Sequence, residues 1–226
     1  MVWTPGRTKS IPLVPNQVKI SLDTQVIKSE ERMSIIGQAA PDFSMEAVES
    51  GSFTQVRLKD YKGKWLVLFF YPLDFTFVCP TEILAFSKAV DHFKGLNAEL
   101  LGVSVDSKFT HLAWTEKPQA EGGIAGLEYP LASDLSKQVA TRYSVLAAGG
   151  VALRGLFIVD PKGIIQHATV NNLAVGRSVN ETLRVLQAFQ YVAEHGEVCP
   201  AGWEPGGATM KADWDGLKEY FKSASA

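Results

Sequence analysis

The sequence predicts an α/β fold with a central mixed sheet flanked by helices, and three observations point there. Apolar runs of strand length, above all residues 65–71 (Trp-Leu-Val-Leu-Phe-Phe-Tyr), read as strands buried on both faces. Between such runs lie segments whose apolar residues recur at helical spacing, as in Ile83, Leu84, Phe86, Val90 and Phe93. Later, residues 152–159 and 164–170 form two apolar stretches joined by Asp160-Pro161-Lys162-Gly163, a tight-turn sequence.

Residues 1–32 carry Pro5, Pro12 and Pro15 without useful periodicity and are expected to form a disordered extension. They contain no continuous apolar core of a secretory signal, and Asp23, Glu30 and Glu31 argue against a transit peptide. A cytoplasmic location is expected, with the plastid stroma as the alternative if residues 1–32 act as a targeting sequence. The domain proper is expected over 33–195. Residues 43–49 and 53–58 flank Ser50-Gly51-Ser52 as a hairpin. A strand over 65–71 precedes a helix over 81–93, a strand over 100–105, and a helix through His111-Leu112-Ala113-Trp114. Residues 135–143 read as helical, then come the two strands joined at Asp160–Gly163, and a last long helix over 178–194. Residues 196–226 are too polar and Gly/Pro-rich for a second core and read as a carboxyl-terminal arm. Strand–helix–strand–helix followed by an antiparallel hairpin and a helix is the order of a thioredoxin-like fold.

Composition removes several function classes. A net charge of −2 leaves no basic footprint, so nucleic acid is not an expected partner. No apolar stretch approaches the roughly 20 residues needed to span a bilayer, so no membrane is expected either. The four histidines, His92, His111, His167 and His195, show no metal-ligand spacing and read as surface or packing residues. Two cysteines do not make a disulfide scaffold; the number suits catalytic thiols in a reducing compartment.

The first thiol, Cys79, sits on the turn between the strand over 65–71 and a helical pattern that starts at Pro80. There, unpaired backbone N–H groups and the helix dipole favour negative charge. In a thioredoxin-like fold this turn normally carries Cys-x-x-Cys; here it reads Thr76-Phe77-Val78-Cys79. A hydroxyl stands where one sulfur would be, which disfavours general thiol–disulfide exchange and leaves one nucleophile beside a hydrogen-bond donor. A lone cysteine after a strand is most often inert and buried. Thr76 before it, Pro80 after it and Pro72 further back reverse that reading. Arg154, which opens an apolar strand, reads on its own equally well as an edge charge. Cys199, in Glu197-Val198-Cys199-Pro200-Ala201-Gly202-Trp203, is either an idle tail thiol or a partner for Cys79.

The block Phe70-Tyr71-Pro72-Leu73-Asp74-Phe75-Thr76-Phe77-Val78-Cys79-Pro80-Thr81-Glu82, with Val198-Cys199-Pro200 near the end, resembles the typical 2-Cys peroxiredoxins, the alkyl hydroperoxide reductase and thiol-specific antioxidant family. The resemblance extends through residues 102–107, 111–114, 154–160 and 176–179. Residues 168–173 (Ala-Thr-Val-Asn-Asn-Leu) are similar to cyanobacterial and plastid members.

The resemblance implies a thiol peroxidase for hydrogen peroxide and alkyl hydroperoxides, without metal, haem or flavin. Cys79 would be the peroxidatic nucleophile and Cys199 the resolving thiol, forming an intersubunit disulfide that a thioredoxin-like reductant reopens. Arg154 would be the active-site arginine, Thr76 the hydroxyl that bonds peroxide and sulfur, and Pro72 the shield against water. Glu82 and Arg177 would form the polar cluster around Arg154. An ordinary thiol, pKa about 8.5, needs about 3.4 kcal/mol of differential stabilisation to titrate near 6. A helix terminus supplies only about 0.3–1 kcal/mol, so a fixed cation is required. The resemblance also implies a homodimer, commonly closing into a decamer, and a second class of function, a peroxide-regulated holdase chaperone. Members prone to overoxidation carry Gly-Gly-Leu-Gly and a terminal Tyr-Phe. This chain keeps Tyr220-Phe221 but reads Gly122-Gly123-Ile124-Ala125-Gly126 at the first motif.

Overall fold

A computed structural model describes residues 34–224; the expectation of a disordered extension over 1–32 lies outside them. Seven strands form one sheet: β1 (Ser44–Glu49), β2 (Ser52–Arg57), β3 (Trp65–Phe70), β4 (Ala98–Ser104), β5 (Leu131–Ser133), β6 (Arg154–Val159) and β7 (Ile165–Asn171). Their spatial order is β2-β1-β5-β4-β3-β6-β7, with β3–β4 and β4–β5 parallel and the other pairs antiparallel. The mixed α/β, thioredoxin-like architecture expected from the sequence is the one observed.

Strand β3 shows why the longest apolar run lies at the centre. Val67, Phe69 and Tyr71 face one buried cluster, while Leu66, Leu68 and Phe70 face another. Successive side chains of a strand point to opposite faces, so a strand covered on both sides must be apolar throughout. The first cluster takes up Ile83 and Phe86 from α1 (Cys79–Lys88), Phe93 from α2 (Val90–Gly95), Trp114 from α3 (Lys108–Glu116) and Leu186 from α5 (Val179–His195). The second takes up Val139 and Ala140 from α4 (Gln138–Arg142), with Tyr143 and Phe157.

Two expectations are corrected, and two elements were not foreseen. The helix over 81–93 is two helices, broken at Ala89, where φ is −101° and ψ 5°. No Gly or Pro marks the break; it accompanies the stacking of Phe86 on Phe69 and its contact with Phe93. The helix expected over 135–143 starts only at Gln138. Asp134 accepts from the Val139 and Ala140 amides at 3.2 and 2.7 Å, and Lys137 takes a left-handed φ of 61°, so Leu135 lies outside the helix and is exposed. Strand β5, three residues long and directly after Pro130, is too short to give an alternating pattern. The arm carries structure that the sequence did not reveal: Trp203 is buried, Val198 pairs with Met210, and α6 (Trp214–Ala224) begins beside Asp213, whose carboxylate accepts from the Gly216 amide.

Candidate active site

The loop from β3 to α1 delivers Cys79 as the first residue of the helix, with Pro80 following at a position where no intrahelical N–H bond is lost. Cys79 is fully buried, and Pro72 in the same loop is also buried. Thr76 Oγ1 lies 3.0 Å from Cys79 Sγ and 2.8 Å from the Leu73 carbonyl oxygen. One hydroxyl proton cannot serve both acceptors, so it turns to sulfur when sulfur is negative and to Leu73 when sulfur carries its own proton.

Arg154 is buried at the start of β6, which corrects the reading of it as an edge charge. Its Nη1 lies 3.5 Å from Cys79 Sγ and 2.6 Å from Glu82 Oε2, and its Nε donates to the Leu173 carbonyl at 2.8 Å. Glu82, one turn into α1, binds a second cation through its other oxygen: Arg177 donates to Oε1 from both its amide and its Nε at 2.7 Å. Arg177 Nη1 reaches the carbonyls of Phe70 and Gly155, and the guanidinium sits 5.2 Å from the centre of the Phe69 ring. Its Nη2 is buried without a hydrogen-bond partner among the described residues. Two buried guanidinium groups thus share one carboxylate, and one of them also faces the Cys79 sulfur.

Of the residues expected around Cys79, Thr76 and Arg154 contact its sulfur and Glu82 and Arg177 form the network behind Arg154, while Pro72 is buried in the same loop. Cys199 is not among them. It rests half-buried against α5, its Sγ donating to the Ala188 carbonyl at 3.7 Å. From Val179, near the Arg177 end of the site, to Ala188 is roughly 14 Å of helix at 1.5 Å per residue. Both cysteines are free. Burial pushes the Cys199 thiol above its ordinary range, and Arg184 works against that shift.

A second buried network holds the same loop and is not legible in the sequence. The Tyr71 hydroxyl donates to Asp74 Oδ1 at 2.8 Å, Asp74 Oδ2 is 2.7 Å from His111 Nδ1, and His111 Nε2 is 3.2 Å from the Ala132 carbonyl. The carbonyl accepts only, so Nε2 carries a proton and another lies between Nδ1 and Asp74. Burial pushes the Asp74 carboxyl up, while His111 and Tyr71 favour its charge. The Asp74 amide donates to Asp106 at 2.9 Å. This anchoring supports Phe75 in a left-handed φ of 54°, unusual for an aromatic residue, with its ring against Trp114. Asp74 and His111 each belong to a motif of the chain, but nothing in the linear order says that the two meet.

The AhpC/TSA family matches residues 36–168, and the C-terminal domain of 1-Cys peroxiredoxin matches residues 188–223. The chain is 60% identical to a putative peroxiredoxin, ycf42, of Porphyra purpurea, over 84% of this chain and 96% of that one. It is 58% identical to peroxiredoxin-2 of Mus musculus, covering 82% and 94% of the two chains. With the chloroplastic 2-Cys peroxiredoxin BAS1 of Hordeum vulgare the figures are 56%, 85% and 93%. Among solved structures, reduced 2-Cys peroxiredoxin of Plasmodium vivax superposes with a TM-score of 0.82 at 48% identity, covering 84% of this chain and all of that one.

Proposed function

We infer, since the chain belongs to the AhpC/TSA family of peroxiredoxins and is a peroxide-reducing thiol peroxidase, that Cys79 is its nucleophile and that Arg154 and Thr76 position the peroxide. The observation that carries this reading is the buried sulfur held 3.0 Å from a hydroxyl and 3.5 Å from a guanidinium that Glu82 orients. The thiolate attacks the terminal peroxide oxygen. An S–O bond forms as the O–O bond breaks, sulfur gives up two electrons, and the leaving oxygen takes a proton and departs as water or alcohol. Arg154 donors face the charge that develops on the breaking O–O bond, in a site that excludes water.

The resulting sulfenic acid on Cys79 is resolved by Cys199: the thiolate attacks sulfur, an S–S bond forms and the hydroxyl leaves as water. Cys199 rests against Ala188 of α5 and makes none of the contacts around Cys79, which supports resolution by the arm of a second copy. Because Cys79 is fully buried, its first helical turn must open before that meeting. Two tethers mark where opening stops: Tyr129 donates to the Ile83 carbonyl, and the Glu128 amide donates to Ser87 Oγ. A thioredoxin-type dithiol then reduces the disulfide, with no prosthetic group taking part. Phe77 (92% exposed) and Phe75 beside the reacting loop suit contact with another copy, in a dimer or decamer. The chloroplastic name of the barley relative supports the plastid alternative, against which the cytoplasmic location is tested by fractionation.

Peroxide consumption driven by thioredoxin, measured for the native chain, Cys79→Ser and Cys199→Ser, tests the whole scheme. Native turnover, none for Cys79→Ser and a single turnover for Cys199→Ser are expected. Continued cycling of Cys199→Ser on thioredoxin would remove the resolving role.

A further inference from the structure

Strands β3, β4 and β5 run parallel and adjacent, so their carboxyl ends meet at one end of the sheet. β3 leads into the loop that carries Thr76 and Cys79, β4 leads through Val105 to Asp106, and β5 ends at Ser133. Asp106 ties the three together. Its Oδ2 accepts from the Asp74 amide at 2.9 Å and from Ser104 Oγ at 2.7 Å. Its amide donates to Ser104 Oγ at 3.0 Å, and its carbonyl accepts from Ser133 Oγ at 2.6 Å.

The bond to the Asp74 amide reaches further than that residue. The Asp74 N–H and the Leu73 carbonyl are two ends of one planar peptide unit, so holding the first sets the direction of the second. The Leu73 carbonyl is the acceptor 2.8 Å from Thr76 Oγ1, whose other neighbour is Cys79 Sγ at 3.0 Å. A threonine bonded to the carbonyl three residues back is ordinary in itself: Thr81 and Thr115 do the same, and neither hydroxyl touches a sulfur. Thr76 differs because the peptide it leans on is pinned at its far side by a carboxylate. The Asp74 side chain holds that peptide from another direction, through Tyr71 and His111.

We propose that Asp106 is a positioning residue for the peroxidase reaction, fixing the Leu73–Asp74 peptide and through it the Thr76 hydroxyl beside Cys79. This role rests on the assignment of Cys79 and Thr76 to peroxide reduction. Asp106 has no hydrogen bond to Cys79 and acts through Thr76. Without the pin the peptide turns, its carbonyl leaves its place, and the hydroxyl loses the second partner that keeps it aimed. Geometry rather than charge does this. Both bonds to the side chain fall on one oxygen, Oδ2, so an uncharged amide oxygen in the same place serves as well.

The test is the first turnover with hydrogen peroxide, followed by stopped-flow Trp fluorescence in the full-length chain. Asp106→Ala should slow it about threefold to tenfold, the range of one lost hydrogen bond. Asp106→Asn should stay within about twofold of native, because its amide oxygen keeps both bonds. A double-variant cycle then separates positioning from general loosening of the loop. Thr76→Val with Asp106→Ala should react no more slowly than Thr76→Val alone, since Asp106 has nothing left to position. Ser104→Ala removes one oxygen from the pin and should show the same dependence on Thr76 at a smaller size, which serves if Asp106→Ala does not fold. The role is overturned if the alanine variants react at the native rate, if Asp106→Asn is as slow as Asp106→Ala, or if the loss is equal with and without the Thr76 hydroxyl. Native rates in both Thr76→Val and Asp106→Ala would remove the reading of Thr76 together with this role, whereas a slow Thr76→Val beside a native Asp106→Ala removes this role alone.

Discussion

Cys79 and Cys199 are the same side chain in opposite settings. Cys79 lies under complete cover with a hydroxyl and a guanidinium within 3.5 Å, and the guanidinium is itself fixed by Glu82. Cys199 lies half-exposed in an arm, where its thiol donates a hydrogen bond to a carbonyl oxygen at 3.7 Å that stabilises no negative charge. The first setting aims two donors at a buried sulfur, and the second holds a thiol whose ionisation burial disfavours. Reactivity is thus assigned by surroundings rather than by residue type.

The largest expected contrast comes from removing each sulfur. Cys79→Ser should abolish peroxide turnover, because a hydroxyl of far higher pKa does not replace a thiolate. Cys199→Ser should keep the first turnover at its native rate and stop there, with sulfenic acid trapped by dimedone and read by mass spectrometry. Loss of the first turnover in Cys199→Ser would erase the distinction between the two settings.

Next in size is the cation. Arg154→Ala should slow the reaction of Cys79 with hydrogen peroxide by about 10²–10³, the usual cost of deleting a charge-stabilising donor. Stopped-flow Trp fluorescence reads it directly. Arg154→Lys should recover only part of the rate, since a point charge does not donate to sulfur, Glu82 and the Leu173 carbonyl at once. Full recovery with lysine would mean that charge alone matters and the fork geometry does not. Thr76→Val removes one hydrogen bond to a charged group and should cost about tenfold or more in the same assay, with Thr76→Ser close to native.

The arm should respond to pH. With the Cys199 thiol pushed up by burial, little of it is ionised at pH 7, and the ionised fraction grows about tenfold per pH unit until its pKa is reached. Disulfide formation after a single turnover should therefore accelerate as pH rises above 7. Arg184 opposes the shift, so Arg184→Gln should slow that step about two- to threefold at pH 7, the small size expected of a solvent-screened charge. A pH-independent resolution rate would show that opening of the Cys79 helix, not thiol ionisation, limits it.

Elements covered on both faces are readable from the sequence, because burial on two sides demands an uninterrupted apolar run; β3 is the clearest. Elements set by a local hydrogen bond or a packing fit are not. The delayed start of α4 depends on Asp134 reaching the Val139 and Ala140 amides, and the break at Ala89 accompanies the Phe69–Phe86 stack. Helix α6 escapes sequence reading because its apolar residues, Trp214, Leu217, Tyr220 and Phe221, sit in a segment whose average character is polar.

The sequence by itself determined the alternation of strands and helices, the thiol at a helix start and the hydroxyl three residues before it. Those follow from short-range periodicity and from the stereochemistry of a few neighbouring residues. Only the tertiary structure decided that Glu82 holds Arg154 with one oxygen and Arg177 with the other. It also joined Asp74 to His111 across the loop and left Cys199 resting on α5, away from Cys79. The reason is physical: a buried charge is tolerated where its partners converge, and convergence across many residues is a property of the folded sheet, not of any stretch of chain.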